Sequence, residues 1–199
     1  MRDKWNEIYG SREYRYGFVP NDFLRENYQK ISKGKVLCIG SGEGRNAVFL
    51  AEKGYDVTAV DFSEKGIEKT QALANKKKVS VKTIVSDVLD YDFGENEYEA
   101  VINIFLHFES DERKIIAKKI RNALKPGGVF LLEVYHLEQL ASGTAGPKDE
   151  KLLLTEDRVI DDYQNFSFDI LRKVHRQTYE DHEHRGGGVV VQLIARPIK

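Results

Sequence analysis

The sequence predicts an α/β fold, a parallel sheet with helices on both faces, and three observations carry the prediction. Val36-Leu37-Cys38-Ile39 is an unbroken apolar run bounded by Gly34 and Gly40, as expected of a strand covered on both sides. Strand-like runs recur at 56–60, 79–85, 100–105 and 129–134, with segments of helical period between them. The end of the chain departs from this alternation. Ile170 to Tyr179 and Val189 to Ala195 read as strands with no helix between them, which implies an antiparallel pair connected through Gly186-Gly187-Gly188.

Each element has a local reason. Trp5, Ile8 and Tyr9 have helical spacing, and Tyr14, Tyr16, Gly17 and Phe18 follow as an aromatic patch closed by Pro20-Asn21. This segment reads either as a lid or as aromatics covering core surface. Asn21 or Asp22 caps a helix whose apolar positions are Phe23, Leu24, Tyr28 and Ile31. The first strand follows from Lys35, and a helix carrying Ala47, Val48, Leu50 and Ala51 opens near Arg45. A second strand, Asp56 to Val60, precedes Asp61; Ser63 then caps a helix through Ile67, Thr70, Gln71 and Leu73. Lys76-Lys77-Lys78 closes that helix, as an anion patch or as positive charge favourably placed at a helix C-terminus. A helix from Ser110 to Leu124 is stopped by Lys125-Pro126-Gly127-Gly128, because proline cannot continue the ladder and glycine supplies a turn. Residues 136–150 form a loop region, and Thr155 starts a short helix through Asp162.

The totals narrow the class. A chain of 199 residues without repeats or an interdomain linker is expected to form one domain, 1–199, with 1–34 as a helical cap and 35–199 as the core. A net charge of −1 supplies no global attraction to nucleic acid or to an anionic membrane, so neither is expected as a partner. The one cysteine, Cys38, lies in an apolar strand and leaves no intramolecular disulfide. No apolar run approaches the roughly 18 residues of a membrane span, and Met1-Arg2-Asp3-Lys4-Trp5 leads into no signal-peptide core. A cytoplasmic location is the expectation. No apolar stripe specifies an oligomeric state.

The chemistry gathers at Gly40-Ser41-Gly42-Glu43-Gly44. Glycines at alternate positions allow positive φ and let a ligand come close to backbone N–H groups at the start of a helix. Asp61 stands about twenty residues after the first glycine, where nucleotide-binding folds keep an acid for ribose hydroxyls. Its plainer reading is a helix-capping acid after a strand. The dinucleotide fingerprint needs a third glycine where Arg45 stands, so a nicotinamide enzyme is a poor alternative.

Val36 to Asn46, with Asp61, Ser86-Asp87-Val88 and Leu124-Lys125-Pro126-Gly127-Gly128, resembles the class I S-adenosylmethionine (SAM)-dependent methyltransferases. The resemblance implies their doubly wound Rossmann-like sheet, parallel with an antiparallel C-terminal hairpin. Within the class the chain looks most like small bacterial enzymes of the TehB-like, tellurite-resistance or thiopurine-methyltransferase-like group. The matching pieces are Tyr16-Gly17 with Pro20-Asn21, Ile104 to His107, Glu133 with Tyr135, Gln139-Leu140, Gly143-Thr144 with Gly146-Pro147, and Glu180, His184, Gly186 and Val190 to Gln192. Two positions depart. Cys38 stands where many class I members carry an acid, and Asp181 where the group often has glycine.

The resemblance places Gly40, Ser41, Gly42 and Gly44 around the methionine and ribose of SAM, adds Asn46 as a further cofactor-binding residue, and places Asp61 on both ribose hydroxyls. Phe62 lies against adenine beside Ser63, Asp87 accepts from the adenine amino group, the Val88 N–H meets a ring nitrogen, and Tyr16, with Trp5, covers the cofactor. As lone residues, Asp87 and Val88 read equally as turn formers. Asn103 and His107 end the fourth strand, at the edge where open α/β sheets bind ligands. His107 and His184 are the catalytic candidates. His107 can contact SAM, orient substrate, take a proton or serve structure alone; His184 lines the acceptor pocket or a solvated turn. His182 and His184 alternate as metal ligands would, but no third ligand cluster lies nearby and no metal is expected.

The expected reaction is transfer of the SAM methyl to a small-molecule acceptor, a sulfur, selenium or tellurium nucleophile, leaving S-adenosylhomocysteine (SAH). One alternative is a catalytically silent SAM-binding sensor. Another is a protein or nucleic-acid methylase, against which stands the absence of an Asn/Asp-Pro-Pro-Tyr/Phe tetrapeptide at Asn103-Ile104-Phe105-Leu106.

Overall fold

The computed structural model of the protein describes residues 2–142, 146–179 and 185–199. In chain order these form α1 (Arg2–Tyr9), α2 (Asp22–Asn27), β1 (Lys35–Ile39), α3 (Arg45–Glu52), β2 (Asp56–Asp61), α4 (Glu64–Lys77) and β3 (Lys82–Val85). There follow β4 (Tyr98–Ile104), α5 (Ser110–Ala123), β5 (Leu124–Tyr135), α6 (Gln139–Ser142), α7 (Glu156–Asp162), β6 (Phe166–Tyr179) and β7 (Arg185–Pro197). The strands make one seven-stranded sheet in the order β3-β2-β1-β4-β5-β7-β6. The pairs from β3 to β5 are parallel, and β7 runs antiparallel to both β5 and β6. The winding reverses between β1 and β4, which opens a crevice at the C-terminal ends of these strands.

The unbroken apolar runs are explained by two cores. Leu37 and Ile39 of β1 face one core with Val101, Phe130, Leu132 and the α5 residues Ile116 and Ile120. Val36 and Cys38, one position out of phase, face the other with Ala100, Leu131, Phe23 and Leu24 of α2, and Ala47 and Leu50 of α3. Each large aliphatic or aromatic side chain fully buried here contributes about 1.5–3 kcal/mol. Three expected caps are present: Asn21, Ser63 and Thr155 accept from the backbone N–H groups of Leu24, Gly66 and Arg158.

Several boundaries differ from the sequence reading. The strand expected from Val79 begins at Lys82, because Val79 and Val81 pack onto Val48, Leu73 and Ala74. The helix expected to run to Ile31 ends at Asn27, and a single 3-10 turn, Tyr28–Lys30, follows. Lys125 to Gly128 are part of β5: Leu124 pairs with Tyr98, the register then shifts, and Val129 pairs with Ala100. Gly186, Gly187 and Gly188 are not the hairpin connection. They pair with Thr178, Gln177 and Arg176 inside the β6–β7 ladder, and the connection falls at 180–184, outside the described residues. Among the described residues, no helix is long and apolar enough to cross a membrane.

Candidate cofactor and acceptor site

The loop after β1 is shaped by its glycines. Gly40, Gly42 and Gly44 have φ of +59°, +54° and +87°. A Cβ on Gly44 would stand 2.5 Å from Thr70 Oγ1, and one on Gly42 would stand 2.8 Å from the Tyr9 hydroxyl. Asp61, at the end of β2, accepts the Gly42 N–H on Oδ2 and the Ser63 N–H on Oδ1, each at 2.8 Å. Its side chain thus joins the glycine loop to the start of α4, so the capping role is present in full. Burial raises its pKa, and the two backbone N–H groups work against that rise. Each carboxylate oxygen keeps a further lone pair for a ligand hydroxyl.

The neighbouring candidates share this edge of the sheet. Phe62 and Ser63 follow Asp61; Asp87 and Val88 follow β3; Asn103 pairs with Ile39 in the register of β4 with β1. Asp87 Oδ1 accepts the Leu89 N–H at 2.9 Å, and Asn103 Oδ1 accepts the Leu106 N–H at 3.2 Å, so both shape turns. Asn46, in the first turn of α3, accepts the Asn21 N–H at 2.8 Å and so holds the N-terminal segment. Cys38 is a neutral thiol whose pKa burial raises to about 12.

Residues 2–21 cross over the glycine loop as a strap. Trp5, Tyr9 and Tyr16 cluster with ring centroids 5.2–6.4 Å apart. Asn6 accepts from the Ser63 hydroxyl at 2.7 Å, and the Tyr14 hydroxyl donates to the Lys69 carbonyl at 2.9 Å. The Tyr16 N–H reaches Glu43, whose buried carboxylate pairs with Lys69 at 2.7 Å. Tyr9 is a neutral phenol: burial first, and then the Asp61 carboxylate, push its pKa well up. Tyr16 and Trp5 were expected here; Glu43 lay inside the glycine motif with no role assigned to it, Asn6 carried no motif, and helical spacing alone marked Tyr9.

At the far end of β4, Phe105 takes a φ of +59°, which is unusual for a bulky residue, and its N–H donates to the Glu133 carbonyl at 2.8 Å. His107 Nε2 accepts the Tyr135 N–H at 3.3 Å, and its ring stacks on Tyr135 at 5.9 Å between centroids. With that lone pair engaged, a neutral imidazole carries its proton on Nδ1 and acts as a donor. Arg113 fixes the same loop. It pairs with Asp162 at 2.5 Å and donates to the carbonyls of Phe108 and Lys151. His182 and His184 lie outside the described residues, as do Glu180, Asp181 and Gly143-Thr144.

Beside Tyr135, Glu133 is fully buried. Its Oε1 accepts from Asn21 Nδ2 at 2.7 Å and from Arg176, and its Oε2 accepts from Gln192 Nε2 at 2.6 Å. Glu133 and Gln192 were legible only as parts of a pattern. A charge inside Leu131-Leu132-Glu133-Val134-Tyr135 was the available signal.

The loop fits a ligand with hydroxyl and carboxylate groups on one observation in particular. Ser41 Oγ, between two glycines, is buried with no hydrogen-bond partner among the described residues. Residues 36–128 match the family model described as a methyltransferase domain. Together with the strand order and its antiparallel end, this makes the chain similar to the class I SAM-dependent methyltransferases. Within that class it is similar to TehB.

Its relatives include the probable SAM-dependent methyltransferase TehB of Haemophilus influenzae, 28% identical over 128 residues, 63% of this chain and 44% of the relative. Another is the glycine/sarcosine N-methyltransferase of Halorhodospira halochloris, 31% identical over 140 residues, 66% of this chain and 50% of the relative. The chain thus spans about half the length of these curated relatives or less. The solved structure of Haemophilus influenzae TehB superposes with a TM-score of 0.71 at 20% identity, over 98% of this chain and 66% of that one. A structure from work on converting a disulfide bond into a thioacetal group during echinomycin biosynthesis superposes at 0.79, also with 20% identity, over 99% and 92%. At these identities the likeness speaks for the fold.

Proposed function

We propose that the protein works as one unit, with residues 1–34 as its cap, and transfers the methyl group of SAM to a small-molecule acceptor in the cytoplasm. The observation that carries the reading is the pairing of Asp61 with the glycine loop beside the Ser41 hydroxyl, which has no partner among the described residues. In this reading Gly40, Ser41, Gly42, Gly44 and Asn46 hold the methionine and ribose, and Asp61 takes the ribose hydroxyls. Phe62, Ser63, Asp87, Val88 and Asn103 bound the adenine side and the crevice, and Tyr16 covers them. Bound SAM supplies a methyl made electrophilic by its sulfonium.

The chain's own part is orientation and exclusion of water. Trp5, Tyr9 and Tyr16 shield one side of the crevice, and the loop Phe105 to His107 faces it from the other. His107, donating through Nδ1, orients an acceptor; a thiolate, selenide or tellurium anion is nucleophilic without a protein base. This reading takes the acceptor to be a soft nucleophile and calls for neither nucleic acid nor a resident metal. His184 is assigned to the acceptor pocket by resemblance.

Isothermal titration with SAM and SAH, then transfer of labelled methyl to thiols, selenite, tellurite, glycine and sarcosine, tests the reading. Saturable SAH binding with methylation of a soft acceptor is expected. Failure to bind SAH overturns it, and binding with no turnover on the whole panel favours the sensor. A loss of several orders of magnitude in thiol methylation by His107→Ala, with SAH affinity intact, would require a base after all.

A further inference from the structure

Glu133 presents a problem that the methyl-transfer reading leaves unanswered. Its carboxylate is wholly buried in an apolar strand, where leucine would continue the run and keep its charge out of the protein. Its two oxygens serve three separate parts of the chain. Asn21, from the strap, donates to Oε1 at 2.7 Å, and Arg176, from β6, donates to the same oxygen; Gln192, from β7, donates to Oε2 at 2.6 Å. Arg176 also reaches Asp22 at 3.4 Å, in the first turn of α2, and Gln192 Oε1 accepts from Arg172 at 2.9 Å.

The chain of contacts continues toward the cofactor loop. Asn21 donates its backbone N–H to Asn46 Oδ1 at 2.8 Å, and Asn46 stands two residues after Gly44. Four side chains, Asn46, Asn21, Glu133 and Arg176, therefore connect the start of α3 with the β6–β7 hairpin. The strap itself is tied to the cofactor side by Tyr16 on Glu43 and Asn6 on Ser63.

We propose that Glu133 is a positioning residue that couples the strap over the cofactor loop to the β6–β7 hairpin, so that holding SAM or SAH orders the hairpin for the acceptor. This rests on the methyltransferase reading. Two physical points support it. A buried carboxylate is directional: with acceptor lone pairs shared between strap and hairpin, a shift of one element withdraws a donor from a charge that water cannot reach. The network is also made of side chains rather than backbone ladder, so its two ends can move without breaking the sheet.

The test uses the full chain and SAH as the probe. Hydrogen exchange is followed in peptides from 2–21 and 166–179, and emission of Trp5, the only tryptophan, reports on the strap. In the wild type, SAH is expected to slow exchange in both segments and change Trp5 emission. The comparison is Glu133→Gln with Arg176→Met, which removes charge and countercharge together and keeps the variant foldable.

The double variant is expected to bind SAH and to show the Trp5 response. Its SAH-induced protection in 166–179 should fall by about fivefold or more, the usual lower size of a coupling. A merely structural role would alter exchange with and without SAH alike and leave that difference in place. Coupling is overturned if the double variant keeps the wild-type protection, or if SAH protects the wild-type strap and leaves 166–179 unchanged. If the wild type binds no SAH, the methyltransferase reading falls first and the coupling with it.

Discussion

Asp61 and Glu133 are both buried carboxylates at the C-terminal ends of strands, 4% and 0% exposed, yet they are held by different kinds of partner. Asp61 is bound by two backbone N–H groups, from residues 19 and 2 positions away. Glu133 is bound by side chains 112, 43 and 59 positions away. The proposed cofactor half of the crevice is thus built from backbone that glycine positions shape locally, and the proposed acceptor half from side chains that meet only after folding. The family model follows the same division: it covers 36–128 and stops before Glu133. A backbone cradle suits a ligand shared across a class, whereas a side-chain network can vary with the acceptor.

Substitutions can break this contrast. The largest stability effect is expected from Arg113→Met on the acceptor side, which strands the Asp162 carboxylate, 3% exposed in its side chain. A loss of about 3–5 kcal/mol by urea denaturation, with SAH affinity retained under native conditions, is the expected outcome. Comparable loss of SAH binding would show the halves to be one unit.

Gly44→Val comes next. A β-branched side chain at a φ of +87° against Thr70 should cost about 2–4 kcal/mol, and here SAH binding should be lost along with stability. Asp61→Asn is gentler, because an amide oxygen still accepts one of the two N–H groups. We expect a stability loss of about 1–3 kcal/mol and an SAH titration weaker by roughly 10- to 100-fold. An unchanged affinity would reduce Asp61 to a helix cap.

The smallest effect is a pH dependence behind β5. Burial lowers the pKa of His136 below its ordinary 6.5, while Glu156 and Glu138 pull the other way. The unfolded chain therefore takes up this proton first on acidification. The histidine's contribution is present above 6.5 and is lost as pH falls from there toward its folded value. His136→Asn, which keeps an acceptor for the Glu138 N–H, should flatten the slope between pH 7.5 and 5.5 by at most about 1 kcal/mol in urea midpoints.

Much of the fold was legible because its causes are local. Apolar runs in β1 and β4, the helical spacing of α5 and the caps at Asn21, Ser63 and Thr155 can be recognised without knowing what they pack against. The misread boundaries were decided from a distance. Lys125 to Gly128 resemble a terminator, yet a neighbouring strand at Tyr98 draws Leu124 into the sheet. Gly186 to Gly188 resemble a turn, yet β6 pairs with them.

The same holds for the site. Alternate glycines and an acid at the end of the next strand are a pattern in sequence, and by itself that pattern pointed to the class and to the proposed cofactor edge of this protein. Tyr9 over Gly42, Glu43 with Lys69, His107 turned by the Tyr135 N–H, and Glu133 at the meeting of strap and hairpin were decided by tertiary structure alone. A backbone conformation is chosen by the residue that adopts it, whereas a buried side-chain charge is kept only by partners that folding brings to it.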